Sequence, residues 1–281
     1  MLRKFSLRAP RPTCVERFHC LFSFLPLLAG AALRYPSIVR PTVLLFDIDG
    51  TLVDTGGAGR RAMERAFERR TGRADACRTI PFAGMTDRAI ARAGLEHVGH
   101  RVDELAIDAL LDAYVEILAD EISRADRCRI LEGIEAALDR VDTVAGVALG
   151  LGTGNIVGGA RLKLGKVGLF DRFAFGGFGS DHESRAELLR VGAVRGAERL
   201  GVEVAACRVV VVGDTPRDVD AALAIGAECV AVATGSYGVD ALAAAGATLA
   251  VASLAAAGAV EALLDDREGV GEAPPITAGR R

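Results

Sequence analysis

At 281 residues and 51% apolar, the chain is long enough for one large domain or two smaller ones and can bury a sizeable core. A net charge of −3 argues against the broad basic surface of a nucleic-acid-binding protein. The cysteines at 14, 20, 77, 128, 207 and 229 show no C-x-x-C spacing and read as reduced, individually placed small apolar residues.

In chain order, residues 1–40 are expected to lie outside the fold. Arg3, Lys4, Arg8, Arg11 and Arg17 precede the apolar run Cys20–Leu33, which Pro26 interrupts. This is the form of a targeting segment, too short and too broken for a stable membrane span. The alternative is an upstream extension from a mis-assigned start, with the working protein beginning near Arg40.

Val43–Asp54, VLLFDIDGTLVD, reads as a fully buried strand of a parallel sheet that ends in acidic residues. Asp47 and Asp49 then sit at the C-terminal edge, where open α/β sheets place their sites. Two like charges so close favour a cation between them, and Mg²⁺ is the natural hard divalent occupant. The alternative is a strand running into an Asx turn.

Gly56, Gly57 and Gly59 form a flexible hinge. Arg60–Arg70 has the apolar spacing of an amphipathic helix, with Ala62, Met63, Ala66 and Phe67 on one face. After a loop over Thr71–Thr79, Thr86 is placed to cap a helix, and Leu105–Ile122 reads as a longer one. Residues 58–130 are therefore expected to be all-helical. A glycine-led helix follows from Leu131, and Val144–Leu151 is the next expected strand, ending in Gly152-Thr153-Gly154-Asn155. A hydroxyl and glycine-flanked N–H groups before a helix at Ile156–Leu164 suit a phosphate, although a helix cap explains them equally well.

Further on, Phe173–Phe175 reads as a short strand, Gly176–Gly179 as a turn and Ser184–Leu200 as a helix. Arg208–Val212 is an apolar strand running into Gly213-Asp214-Thr215-Pro216-Arg217-Asp218, which puts two more carboxylates at a strand end and Pro216 in the first turn of a helix. Gly226–Ala233 is a fifth strand, and Asp265–Arg281 is a polar tail.

D-I-D-G-T-L-V-D at 47–54, T-G-N at 153–155 and G-D-T-P-R-D at 213–218 together resemble the first, second and fourth motifs of the haloacid dehalogenase-like (HAD) superfamily. The resemblance spans about residues 41–265. It implies an α/β fold, a Rossmann-like parallel sheet with an inserted all-helical cap. Residues 41–57 and 131–265 would form the core and 58–130 the cap, with 1–40 an extension and 266–281 a disordered tail. Five strands are expected, with the first-motif strand central and the fourth-motif strand beside it.

The resemblance also implies roles. Asp47 would be the nucleophile and Asp49 the general acid and base. Asp47, Asp49 (through a main-chain carbonyl near it) and Asp214 would hold Mg²⁺, with Asp218 supporting. Thr153 and Gly154 would bind the substrate phosphate. Relatives place a lysine in a third motif; here the corresponding stretch, Gly179–Arg185, has none. Arg185 is expected to serve instead, because Lys163 and Lys166 come too early in the chain.

The expected function is Mg-dependent hydrolysis of a small phosphorylated metabolite through an aspartyl-phosphate, resembling phosphoglycolate phosphatases and located in the cytoplasm, or exported if residues 1–40 are a targeting segment. The alternatives are a sugar phosphomutase of the same fold and a non-catalytic binding protein.

Overall fold

The computed structural model describes residues 40–264. The expectations for the N-terminal extension and for the tail lie outside the described residues. In chain order the elements are β1 (Thr42–Phe46), β2 (Val53–Asp54), α1 (Ala58–Thr71), α2 (Asp87–His97), α3 (Glu104–Ser123), β3 (Arg129–Ile130), α4 (Ile134–Asp142), β4 (Val147–Thr153) and α5 (Val157–Lys166). There follow β5 (Gly176–Phe178), α6 (Arg185–Leu200), β6 (Arg208–Gly213), α7 (Pro216–Ala224), β7 (Glu228–Val232), α8 (Val239–Ala244), β8 (Leu249–Val251) and α9 (Ala259–Leu264).

The main sheet is parallel, in the order β5-β4-β1-β6-β7-β8. The expected α/β class and the adjacency of the two acidic strands are observed, while the expected five strands become six. The sixth, β8, is a three-residue edge strand, half-buried and too short to stand out by pattern. Alternation along β1 divides the core. Leu44 and Phe46 pack with α4, α5 and α9 on one face, while Val43 and Leu45 pack with α6 and α7 on the other.

Register is what positions the site. Phe46 stands opposite Leu151 on β4 and Val212 on β6. The chain therefore leaves all three central strands at one level, and Asp47, Thr153 and Asp214 emerge along one edge of the sheet.

Helices α1–α3 occupy the expected stretch, and Thr86 caps α2 by accepting from the Ala89 N–H. They form a cluster of their own, built around Met63, Phe67, Leu95, Leu110 and Tyr114. On the outer side Arg61 and Arg65 of α1 reach Glu121 of α3 at 2.9 and 2.7 Å. The connections into and out of these helices are stitched by the antiparallel pair β2–β3, with Val53 opposite Ile130.

Two expectations about the stretch after α5 need correction. Phe173–Phe175 is not a strand: Phe173 follows a short 3-10 turn and packs its ring on Phe46, centroids 6.2 Å apart. The strand is Gly176–Phe178, where a glycine turn was expected. Its glycines serve close approach, because a Cβ on Gly177 would overlap the Leu188 carbonyl of α6. Gly192 and Gly196 on α6 press likewise on Leu45, Val43 and Phe175. Among the described residues, no helix is long and apolar enough to cross a membrane.

Because α6 meets the sheet backbone to backbone at Gly177, Gly177→Ala is expected to destabilise the fold by about 1–3 kcal/mol. The midpoint of urea unfolding measures this, and an unchanged midpoint would show that α6 can move away without loss.

Candidate active site

Asp47 lies at the end of β1, and Asp214 at the end of β6; each is about 5% exposed. Asp218, fully buried, joins them from the first turn of α7. One carboxylate oxygen from each of the three lies within 4.8 Å of the others. Local structure fixes each of these groups. Thr215 and Asp218 form a reciprocal capping box, in which Asp218 Oδ2 accepts from the Thr215 N–H at 3.0 Å and from its hydroxyl at 2.7 Å. Gly50, at φ 80°, turns the chain after Asp49 directly against the Asp214 carboxylate, leaving no room for a Cβ.

Arg185, the first residue of α6, is buried beside this cluster. Its Nη2 is 2.9 Å from Asp47 Oδ2 and also pairs with Asp218 Oδ1. Neither contact is aligned as a hydrogen bond, and among the described residues Arg185 Nε has no partner, while Nη2 and Asp218 Oδ1 have only these ion pairs. Charge rather than directed bonding holds the guanidinium, which leaves buried donors for an anion.

Asp49 points elsewhere. Its Oδ2 accepts from Asn155 Nδ2 at 2.9 Å and from Lys163 Nζ at 2.6 Å. Lys163 is 3% exposed, and its ammonium also donates to Asn155 Oδ1 at 2.6 Å and lies close to the Tyr114 hydroxyl. Arg185, expected as the cation on Asp47, stands 2.9 Å from it, while Lys163 stands on Asp49 instead.

Thr153 is buried, and its hydroxyl bonds Asp47 and accepts from Asn155 Nδ2 at 2.9 Å. The backbone cradle expected after β4 is largely occupied by the protein. The Asn155, Ile156 and Val157 N–H groups donate to Thr153 Oγ1, Asp87 Oδ2 and Ser180 Oγ. The Gly154 carbonyl accepts from the Asp87 N–H at 2.8 Å, and a Cβ at Gly154 would collide with the Met85–Thr86 backbone.

Sequence reasoning gave no role to Asp87, Tyr114 or Asn155, and weighed Lys163 only as an alternative to Arg185. A signal existed. Lys163 lies between Ala160 and Leu164 on the buried face of α5, and Asp87 shares the face of Ile90, Ala91 and Gly94 on α2. A charge on an apolar helix face requires a buried partner.

Burial raises the Asp47 carboxyl, partly opposed by Arg185. Burial, with repulsion from Asp218 and Asp47, pushes Asp214 up to about 8. Asp87 is raised by burial to about 6, partly offset by Lys163. Burial works against the charge of Lys163, yet Asp49, Tyr114 and Asp87 outweigh it and hold the ammonium above its ordinary value.

When all three are ionised, Asp47, Asp214 and Asp218 set three negative charges against one guanidinium, which leaves two negative charges unbalanced. Together with the unbonded Asp218 Oδ1, this all-oxygen donor set fits a hard divalent cation. The group holds Asp47, Asp214 and the supporting Asp218, and the Asp49 carboxylate lies outside it; the ligand expected near Asp49 is a main-chain carbonyl rather than the side chain.

The sequence profile of the haloacid dehalogenase-like hydrolases matches residues 41–226. A phosphoglycolate phosphatase of Xanthomonas campestris pv. campestris is 27% identical over 199 residues, 69% of this chain and 84% of its own. Among solved structures, a hydrolase from Pseudomonas syringae aligns with a TM-score of 0.55 at 20% identity, covering 74% of this chain and 92% of that one. CbbY from Rhodobacter sphaeroides, solved with phosphate, aligns at 0.56 and 19%, covering 76% and 94%. At these identities the two structures show a shared fold.

The raised carboxyl of Asp214 gives the metal-free protein a pH signature. A folded-state value of about 8 against 3.8 means that this group's stabilisation is complete below about pH 4 and is lost as pH rises through about 8. A cation competes with those protons, so Mg²⁺ is expected to raise the melting temperature more at about pH 8 than at about pH 5. Thermal scans with Mg²⁺ or chelator measure this; an equal rise at both values would place the ion elsewhere.

Proposed function

Since the chain belongs to the haloacid dehalogenase-like hydrolases, we propose that it is a Mg²⁺-dependent phosphatase of small phosphate monoesters that works through an aspartyl-phosphate on Asp47. The observation that carries this reading is Asp47 itself. It is a buried carboxylate at a strand end, paired with Arg185 and flanked by two further acids, with a separate half-exposed carboxylate, Asp49, two residues on. When bound, Mg²⁺ would neutralise the anionic phosphoryl oxygens that otherwise repel a nucleophile.

The protein's own groups perform the transfers. Asp47 attacks phosphorus in line, and its new P–O bond forms as the bond to the ester oxygen breaks. Asp49 gives its proton to the departing alkoxide. It then takes a proton from the water that attacks the aspartyl-phosphate, releasing inorganic phosphate and restoring Asp47. Arg185 supplies buried positive charge to the phosphoryl oxygens as negative charge builds on them. Thr153, bonded to Asp47, steadies the attacking carboxylate.

Helices α1–α3 serve in this reading as a cap that sets substrate choice. Their separate cluster, the left-handed glycines Gly56 (φ 60°) and Gly57 (φ 79°), and the docking of Thr86 and Asp87 on Glu183 and Gly154 support it. The Xanthomonas relative's name makes phosphoglycolate the first ester to assay.

Asp47→Asn is expected to abolish turnover of p-nitrophenyl phosphate, and chelator to abolish it in the parent protein; chelator-insensitive hydrolysis would sink the mechanism. Arg185→Ala should lower kcat by about 10²-fold with the fold intact, by analogy with a lost oxyanion donor. A phosphate mimic should slow amide exchange around Gly56–Gly59 if the cap closes. Protection confined to the strand ends would instead make α1–α3 a fixed part of the core.

A further inference from the structure

Lys163 carries a demand that phosphoryl transfer as described does not explain. Its ammonium donates to acceptors from two different parts of the chain, Asp49 after β1 and Asn155 after β4, and the Tyr114 hydroxyl of α3 lies close beside it. The helices packed around it are those of the cap. A Cβ at Gly59 of α1 would sit 3.1 Å from Nζ, Asp87 of α2 adds a nearby negative charge, and Tyr114 belongs to α3. Asp49 is the opposite case, because its side chain is 43% exposed. Nothing about its burial would stop it from changing rotamer.

Both donors that do restrain Asp49 converge on one oxygen. Asn155 Nδ2 and Lys163 Nζ each bond Oδ2, and no hydrogen bond to Oδ1 is recorded among the described residues. An oxygen that accepts two such bonds, one of them charge-assisted, is a poor seat for a proton. In the proposed reaction the proton that Asp49 transfers therefore belongs on Oδ1.

We propose that Lys163 is a positioning residue that clamps Oδ2 of Asp49 against the cap–core junction, so that Oδ1 faces the leaving group and carries the proton. The assignment rests on Asp49 being the acid and base of the proposed phosphatase. It goes further in naming what orients that acid, and in making the orientation depend on α3. Arginine does not substitute, because a planar fork is larger than an ammonium and does not match acceptors gathered around a point.

The simpler role for Lys163 is to neutralise the buried Asp87, and leaving-group chemistry separates the two. A p-nitrophenolate leaves with little need of a proton, whereas benzyl alkoxide does not leave without one. In the Mg²⁺-loaded protein, single-turnover release of p-nitrophenol from p-nitrophenyl phosphate and of benzyl alcohol from benzyl phosphate reports the first step alone.

Lys163→Met is expected to slow benzyl alcohol release by about 10²-fold, the range of a lost general acid, and to leave p-nitrophenol release within a few-fold. Equal slowing of both, or of neither, overturns the proposal. Asp49→Asn serves as the control. If it lacks the same selectivity, the acid role of Asp49 fails and the proposal with it; if Asp49→Asn is selective and Lys163→Met is not, only the clamp fails. Should Lys163→Met not fold, Tyr114→Phe removes the hydroxyl beside the ammonium and keeps the ring. It is expected to slow benzyl alcohol release several-fold without affecting p-nitrophenol, and an unchanged ratio there overturns the clamp equally.

Discussion

Mutual repulsion among Asp47, Asp214 and Asp218 is the constraint around which this molecule is organised. Three carboxylates within 4.8 Å of one another, all nearly free of water, oppose folding unless something holds them. Parallel pairing of β1 with β6 holds Asp47 beside Asp214 by backbone register, and the capping box of α7 adds Asp218. The structure answers the repulsion only in part, through one guanidinium. The unanswered charge is what makes this edge of the sheet a place for a cation and an anionic substrate.

A second polar centre stands beside the first with a different logic. Around Lys163 two bonds tie the ammonium to the ends of β1 and β4, and Tyr114 and Asp87 of the helices above lie close beside it. The acidic cluster is left open to ligands, while the lysine network is closed on itself. Preorganised groups of the second kind hold groups of the first kind still, at the cost of a buried charge.

Much of this was legible in the sequence, for identifiable reasons. Asp47, Asp49, Asp214 and Asp218 sit in strings where an apolar strand ends in Asp and Gly, a pattern that sets both the fold and the edge. Arg185 was legible because it opens the helix before the second acidic strand. Lys163, Asp87 and Tyr114 were not, because each lies on a helix face whose neighbours are apolar, and helical spacing reads such a face as core. Gly176–Phe178 was misread for a related reason. Glycine marks turns in a sequence, but here it marks the closeness of two backbones, which local pattern does not contain. The three residues of β8 pair only through β7, so their strand character comes from a neighbour rather than from their own alternation.

The glycine contacts of α6 reach further than packing. The helix begins with Arg185, and its seat on the sheet is set by Gly177 from below and by Gly192 and Gly196 from its own face. The helix is a rigid rod whose clearance from the sheet is fixed several turns away from the charge it delivers. Any side chain that lifts the rod also withdraws a guanidinium that stands 2.9 Å from Asp47. Tolerance to sequence change in this protein should therefore follow leverage rather than distance, and a methyl group at Gly192 or Gly196, turns away from Arg185, belongs among the changes that alter turnover.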